Sequence, residues 1–312
     1  FYESKQFKQL RSNLESSKQS YFLTGKAGTG KSTFVEYFRL NTKKNVMILA
    51  YTGIVSIKCR GRTIHSFFGY PHHILKRKDC KILRKRDFLK SLNTLIIDEV
   101  SMVNPNLMDA IDRSLKVNRE NDLPFGGVQM LFVGDVFQLS PIAKGKEKEV
   151  LDKMYPEGNF FYNSKWFKIL NPKRIEFEKI FRQKDTQFIQ KLENIRRNQI
   201  TNDVLDYFKN RVTGEQELKD GLVLLAPTNR KTFAVNHKKL QSINSREFSY
   251  LGKVTGAFKP SDMMSEKNLK LKVGAQIMLT KNDPNERWVN GTIGFVDKLE
   301  KDKIFVKVGK RS

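Results

Sequence analysis

The stretch GKAGTGKST, Gly25 to Thr33, combines three glycines with two lysines and three hydroxyl side chains in a pattern suited to holding phosphate. Gly25, four residues, then Gly30, Lys31 and Ser32 match the phosphate-binding loop in full. Backbone N–H groups across Gly25, Ala27, Gly28, Thr29 and Gly30 can approach phosphate oxygens, and a following helix N-terminus adds partial positive charge. Lys31 is placed to reach the outer phosphates, and the Ser32 hydroxyl suits Mg²⁺. The context fits: Tyr21, Phe22 and Leu23 read as the end of a buried strand. Phe34, Val35, Tyr37 and Phe38 suit an amphipathic helix. A nucleotide with Mg²⁺ is the expected ligand.

Two further apolar runs end in polar side chains. TLIIDEVSMV puts Asp98 and Glu99 at a strand end, where Asp98 is expected to support the metal and Glu99 to orient and deprotonate an attacking water. MLFVGDVFQLSP supplies Asp135 and Gln138, and an uncharged glutamine can hydrogen-bond a γ-phosphate or its water. Arg182, in KIFRQKD, is the candidate cation for transition-state charge. Three such strand ends together favour a site at the carboxyl edge of a sheet.

The elements needed to position these groups are legible as alternation. Short apolar runs at 46–50, 95–97, 130–133 and 175–177 alternate with helical segments, which predicts a parallel sheet covered by helices on both faces. A domain boundary is expected near 172, at Asn171-Pro172, with a second strand-turn pattern in GLVLLAPTNR. Alternating apolar positions in LKLKVGAQIMLTKND and GTIGFVDKLEKDKIFVKVGK predict a hairpin or small barrel at the end.

Composition narrows the partners. The 312 residues suggest two domains, and the 58 Lys and Arg against 33 Asp and Glu give a net charge of +25. A polyanionic partner, nucleic acid first, is one reading; a lysine-rich bias of the source is the other. The basic run Lys76 to Lys90 reads by itself as a solvated helix face. No apolar run approaches a membrane span, and the N-terminal residues carry no secretory pattern. The first residue, Phe1, is expected to mark a trimmed end, and Cys59 with Cys80 fit a reducing compartment without structural zinc.

GKAGTGKST, IIDEVSM, GDVFQLSP, FRQKD and GAQIMLTKND…WVNGTIG stand in the order seen in Pif-one (petite integration frequency) helicases of superfamily 1B. LMDAIDRSLKVNRENDLPFGGVQ also resembles that family's signature, and the resemblance runs from about Phe22 to Val296. It implies an α/β protein with two RecA-like domains, the second incomplete, and a small SH3-like β insertion. The expected divisions are 1–172 with a wedge-like insertion near 64–82, then 173–244, then 245–312. It implies ATP-driven 5′ to 3′ movement on single-stranded DNA, unwinding of duplex or forked DNA, no membrane partner and a monomer. The implied compartment is the cytoplasm for a bacterial or viral source, the nucleus or mitochondrion for a eukaryotic one.

The resemblance also implies site residues. Gln9 is the candidate adenine reader. Thr52, His65, Ser66 and Phe67, in YTGIVSIKCRGRTIHSFFGYP, are the implied DNA contacts of the first domain, while by residue type at least one of Phe67 and Phe68 reads as core; Thr228, Asn229 and Asn290 are the implied contacts of the second. The family usually has Pro where Tyr51 and Ser140 stand here, and its late HKSQG and LSRAR-like segments do not occur in these residues. Two rivals stay open: a phosphate-loop transferase, and a nucleic-acid-binding module of the same fold that does not unwind.

Overall fold

The computed structural model describes residues 4–51, 62–71, 73–212, 222–226, 228–253 and 265–309, apart from 282, 284, 286, 289 and 290. Two compact units divide it, Phe1–Arg211 and Val212–Ser312.

The first unit is built on strands β1 (Tyr21–Gly25), β2 (Val46–Ala50), β3 (Arg62–Thr63), β4 (Thr94–Asp98), β5 (Gln129–Val133) and β6 (Lys173–Phe177). They form one parallel sheet in the order β3-β2-β4-β5-β1-β6. Side chains alternate across a strand, so a strand apolar throughout must be covered on both faces. Ile96, Leu131 and Val133 pack on one face with Tyr21, Leu23 and Ile48, beneath helices α1 (Lys5–Ser16) and α2 (Lys31–Asn41). Leu95, Ile97, Met130 and Phe132 face the other way, beneath α3 (Ile64–Phe68), α4 (Arg86–Ser91) and α5 (Pro105–Arg119). Helices α6 (Gly145–Met154), α7 (Lys165–Leu170), α8 (Thr186–Arg196) and α9 (Asn202–Lys209) complete the unit. This is a RecA-like sheet domain.

The boundary expected near 172 is corrected. β6 pairs with β1 over its whole length, Tyr21 opposite Lys173 through Gly25 opposite Phe177. Asn171 is a left-handed helix cap after α7, and the chain turns there back into the same sheet. The division falls after Arg211.

The basic run is also not one helix face. Only residues 77–79, a single tight turn, and α4 are helical. The rest is pinned along α5 by two buried asparagines: Asn106 accepts from Leu75 N (2.8 Å) and donates to Leu75 O, while Asn118 accepts from Leu83 N (2.7 Å) and donates to Lys81 O. Nearby, the buried Tyr70 hydroxyl donates to Ala110 O (2.8 Å) and lies 2.6 Å from Ser114 Oγ. Burial holds its pKa well above the usual phenol value. Tyr70→Phe keeps the ring but leaves the Ser114 hydroxyl short of a partner. Thermal or urea unfolding should show a loss of about 1 kcal/mol.

In the second unit, α10 (Asn229–Ser242) precedes an antiparallel pair, β7 (Phe248–Leu251) with β8 (Asn268–Leu271). Strands β9 (Gln276–Met278), β10 (Ile293–Leu299) and β11 (Ile304–Val308) form an antiparallel sheet with β10 in the centre. Leu271, Ala275, Val296 and Leu299 are its core. The strand expected in GLVLLAPTNR is not seen: Leu222 to Leu225 are exposed and pair with no strand among the described residues. An apolar run forms a strand only where another edge takes up its backbone groups. Among the described residues, no helix is long and apolar enough to cross a membrane.

Candidate functional site

The phosphate loop follows β1, an inner strand of the sheet, and its geometry depends on glycine. Gly25 has φ 143° and Gly28 has φ 79°, a region that side chains rarely occupy. A Cβ at Gly25 would lie 2.4 Å from Phe177 O, and one at Gly28 would lie 2.6 Å from Arg182 Cβ. Gly30, also left-handed, caps α2, so the free N–H groups of that helix open toward the loop. Thr29, 2% exposed, donates its hydroxyl to Lys26 O and braces the turn.

Lys31 begins α2, and its ammonium donates to Gly25 O (2.6 Å) and Lys26 O (3.0 Å). Burial lowers its pKa; Asp135, Glu99 and Asp98 act in the opposite direction. All three carboxylates are therefore near enough for their charge to act on one ammonium. Asp98 ends β4, 2% exposed, and its Oδ1 accepts from Glu99 N (2.9 Å). Glu99 has φ 50°, and this left-handed turn breaks the strand's direction immediately after Asp98. The two adjacent acids are thus presented differently, one locked in the strand end and one in the turn.

Asp135 follows β5 and is 1% exposed. Its carboxylate accepts from Phe137 N (3.1 Å), and its carbonyl accepts from Gln138 N (3.0 Å), which shapes the exposed turn that carries Gln138. Arg182 is exposed, and its chain lies against the phosphate loop through Phe181 N donating to Gly28 O (2.8 Å). The fold brings together Gly25 to Ser32, Asp98, Glu99, Asp135, Gln138 and Arg182 at the carboxyl edge of the sheet.

Other expected residues fall differently. Gln9 is exposed in the middle of α1, while Gln6, nearer the start of the helix, is half-buried. Phe67 does not stack on a base: it is 2% exposed, edge-on to Phe68 at 4.9 Å, with the Lys85 ammonium 3.6 Å from its ring centre. Both rings of this short helix are packed into the core on that face of the sheet, and burial removes them from any ligand. His65 stays half-buried and Ser66 exposed on the same helix. Thr228 caps α10, its hydroxyl accepting from Lys231 N (3.3 Å), with Asn229 exposed beside it. Thr52, Cys59 and Asn290 lie outside the described residues.

One cation escaped the sequence reading. Arg196, on α8, forks onto Asp135, with Nη2 to Oδ1 at 2.8 Å and Nε to Oδ2 at 3.1 Å. Its guanidinium also sits 4.3 Å from the Phe137 ring centre. Burial works against the charge on Arg196, but the bond and charge of Asp135 outweigh it and raise its pKa. A buried carboxylate is costly unless paired in this way. Nothing local marks this pairing in the sequence, because the partners stand 61 residues apart.

The family model described as PIF1-like helicase matches residues 3–205, about two-thirds of the chain and all the strands of this site. The chain belongs to the PIF1-like helicase family. A second family model, for the 2B domain of the DNA helicase Pif1, matches residues 261–299 of the second unit. The chain is 33% identical over 304 residues to the ATP-dependent DNA helicase RRM3 of Saccharomyces cerevisiae, covering 92% of this chain and 41% of that protein. It is 30% identical to the ATP-dependent DNA helicase Pif1 of Bdellovibrio bacteriovorus, covering 95% of this chain and 67% of that one. It therefore spans less than half of the yeast relative. Among solved structures, Bacteroides Pif1 bound to single-stranded DNA superposes with a TM-score of 0.86 at 35% identity, covering 99% of this chain and 72% of that one. Candida albicans Pif1 superposes with a TM-score of 0.82 at 30% identity, covering 97% and 70%.

Proposed function

We propose that this chain is the ATP-binding and strand-gripping part of a helicase that hydrolyses ATP to move 5′ to 3′ along single-stranded DNA and open duplex or forked DNA. The observation that carries the reading is a glycine-dependent phosphate loop at the end of β1, with Asp98, Glu99 and Asp135 at the ends of the neighbouring strands β4 and β5. Relatives with solved structures support it, since Bacteroides Pif1 is known in complex with ADP-AlF3 and single-stranded DNA.

In this reading the loop N–H groups and Lys31 bind the phosphates, Lys31 exchanging its two carbonyl partners for phosphate oxygens. Glu99 takes the proton of the attacking water, Gln138 orients that water or the γ-phosphate, and Arg182 faces the developing charge. Mg²⁺ suits the donor set: a hydroxyl at Ser32 and a carboxylate at Asp98 are the sparse protein ligands this ion takes beside phosphate and water. It would supply charge neutralisation at the phosphates. An adjacent acid and glutamine dedicated to water favour hydrolysis over phosphoryl transfer, because a transferase must keep activated water away.

His65, Ser66, Thr228 and Asn229 are the proposed strand contacts, and Thr52 and Asn290 are proposed with them. Hydroxyl, amide and imidazole groups grip phosphate and sugar without reading sequence. Single-stranded DNA should then bind without strong sequence preference, with an affinity that falls steeply as salt rises. His65→Ala should weaken binding by about fivefold, the order expected from one neutral hydrogen bond. Fluorescence anisotropy across a salt series checks both, and a flat salt dependence would mark the +25 charge as compositional. DNA-stimulated ATP turnover separates an enzyme from a binding module of the same fold.

A further inference from the structure

Helix α8 carries charged groups that the nucleotide site does not use, and they form a continuous line. Lys26 lies inside the phosphate loop, and its ammonium is 3.5 Å from Glu193 Oε2. The other oxygen of Glu193 accepts from Arg196 (3.3 Å) and Arg197 (2.6 Å). Arg196 in turn forks onto Asp135, whose carboxylate and carbonyl shape the turn bearing Gln138. Gln138 Nε2 is itself 3.5 Å from Asp135 Oδ2. The line therefore runs Lys26, Glu193, Arg196, Asp135, Gln138, entirely within the first unit.

A simple staple between α8 and the sheet would need Arg196 and Asp135 alone. Glu193 has another position: its side chain is 9% exposed and is shared by three cations, one of them in the loop proposed to receive phosphate. An anion entering Gly25 to Ser32 brings negative charge beside Lys26 and competes with Glu193 for it. Glu193, less engaged by Lys26, then attracts Arg196 more strongly and loosens its fork on Asp135. Asp135 is the only one of the five whose backbone and side chain both shape the Gln138 turn. We propose that Glu193 and Arg196 form an ion-pair relay through which phosphate in the Gly25–Ser32 loop repositions Gln138, with Arg196 acting as a positioning residue. This rests on the nucleotide reading of the loop. It adds a route by which Gln138 senses an occupied loop without itself touching the ligand.

The test is hydrogen–deuterium exchange on the full chain with and without Mg²⁺ and a non-hydrolysable ATP analogue, comparing wild type with Glu193→Gln and Arg196→Lys. In wild type the analogue should change exchange at residues 25–33 and at 135–142. In both variants the change at 25–33 should persist with affinity within about threefold, while the change at 135–142 is lost. The kcat for ATP should drop roughly tenfold or more as Gln138 is misplaced, with KM held within about threefold. Arg196→Lys retains a cation for Asp135, and Glu193→Gln leaves the Arg196–Asp135 pair whole, so melting temperatures near wild type are expected of both. Transmission to 135–142 in both variants as in wild type would overturn the relay. No change at 25–33 in wild type would instead overturn the nucleotide reading, and the relay with it.

Discussion

Glu99→Gln should bind nucleotide as wild type does and lose hydrolysis by a factor of roughly 10³, within the range that general bases contribute. The substitution keeps the shape of the side chain and the left-handed turn at φ 50°, and removes only the capacity to accept the proton of water. Asp98 does not replace it: it is 2% exposed and already accepts the Glu99 N–H at 2.9 Å. Lys31→Ala is the complementary case. In the proposed reading its ammonium holds the phosphates, so titration calorimetry should show binding itself weakened. Calorimetry for affinity and phosphate release for turnover separate the two effects. Undiminished turnover in Glu99→Gln would remove Glu99 from the role of base.

The largest effect on stability is expected at Phe34→Ala, about 3–5 kcal/mol by urea or thermal unfolding. Phe34 is fully buried, one turn into α2. Its ring is edge-on to Phe7 at 4.8 Å and to Phe177 at 5.8 Å, and stacked with Phe38 at 6.1 Å. Those contacts join α1, α2 and β6, so one truncation opens a cavity where three elements meet. The consequence reaches the site, because Phe177 also supplies the carbonyl against which Gly25 is fitted. Nucleotide affinity should therefore fall along with the melting temperature. A variant with normal stability would mean that the aromatic cluster is not what seats α2.

What could be read without coordinates was what is contiguous. The loop Gly25 to Ser32 carries its glycines, lysine and hydroxyl within eight positions, so residue type and spacing suffice to state its chemistry. Asp98, Glu99 and Gln138 were legible because each follows an apolar run, and parallel strands deliver their carboxyl ends to one edge. The same runs gave β2, β4, β5 and β6 to within a residue or two. Pairing and burial were another matter, since they depend on which distant surfaces meet. Asn171-Pro172 has the composition of a linker, yet β6 continues the first sheet because an open edge of β1 accepts it. Phe67 and Phe68 have the same residue type as a base-stacking ring, and only the sheet beneath α3 turns them into core. Arg196 looks like any cation on a polar helix until packing carries it to a buried Asp135. A charge in low dielectric must find its partner in space, and the distance between them along the chain has no bearing on that.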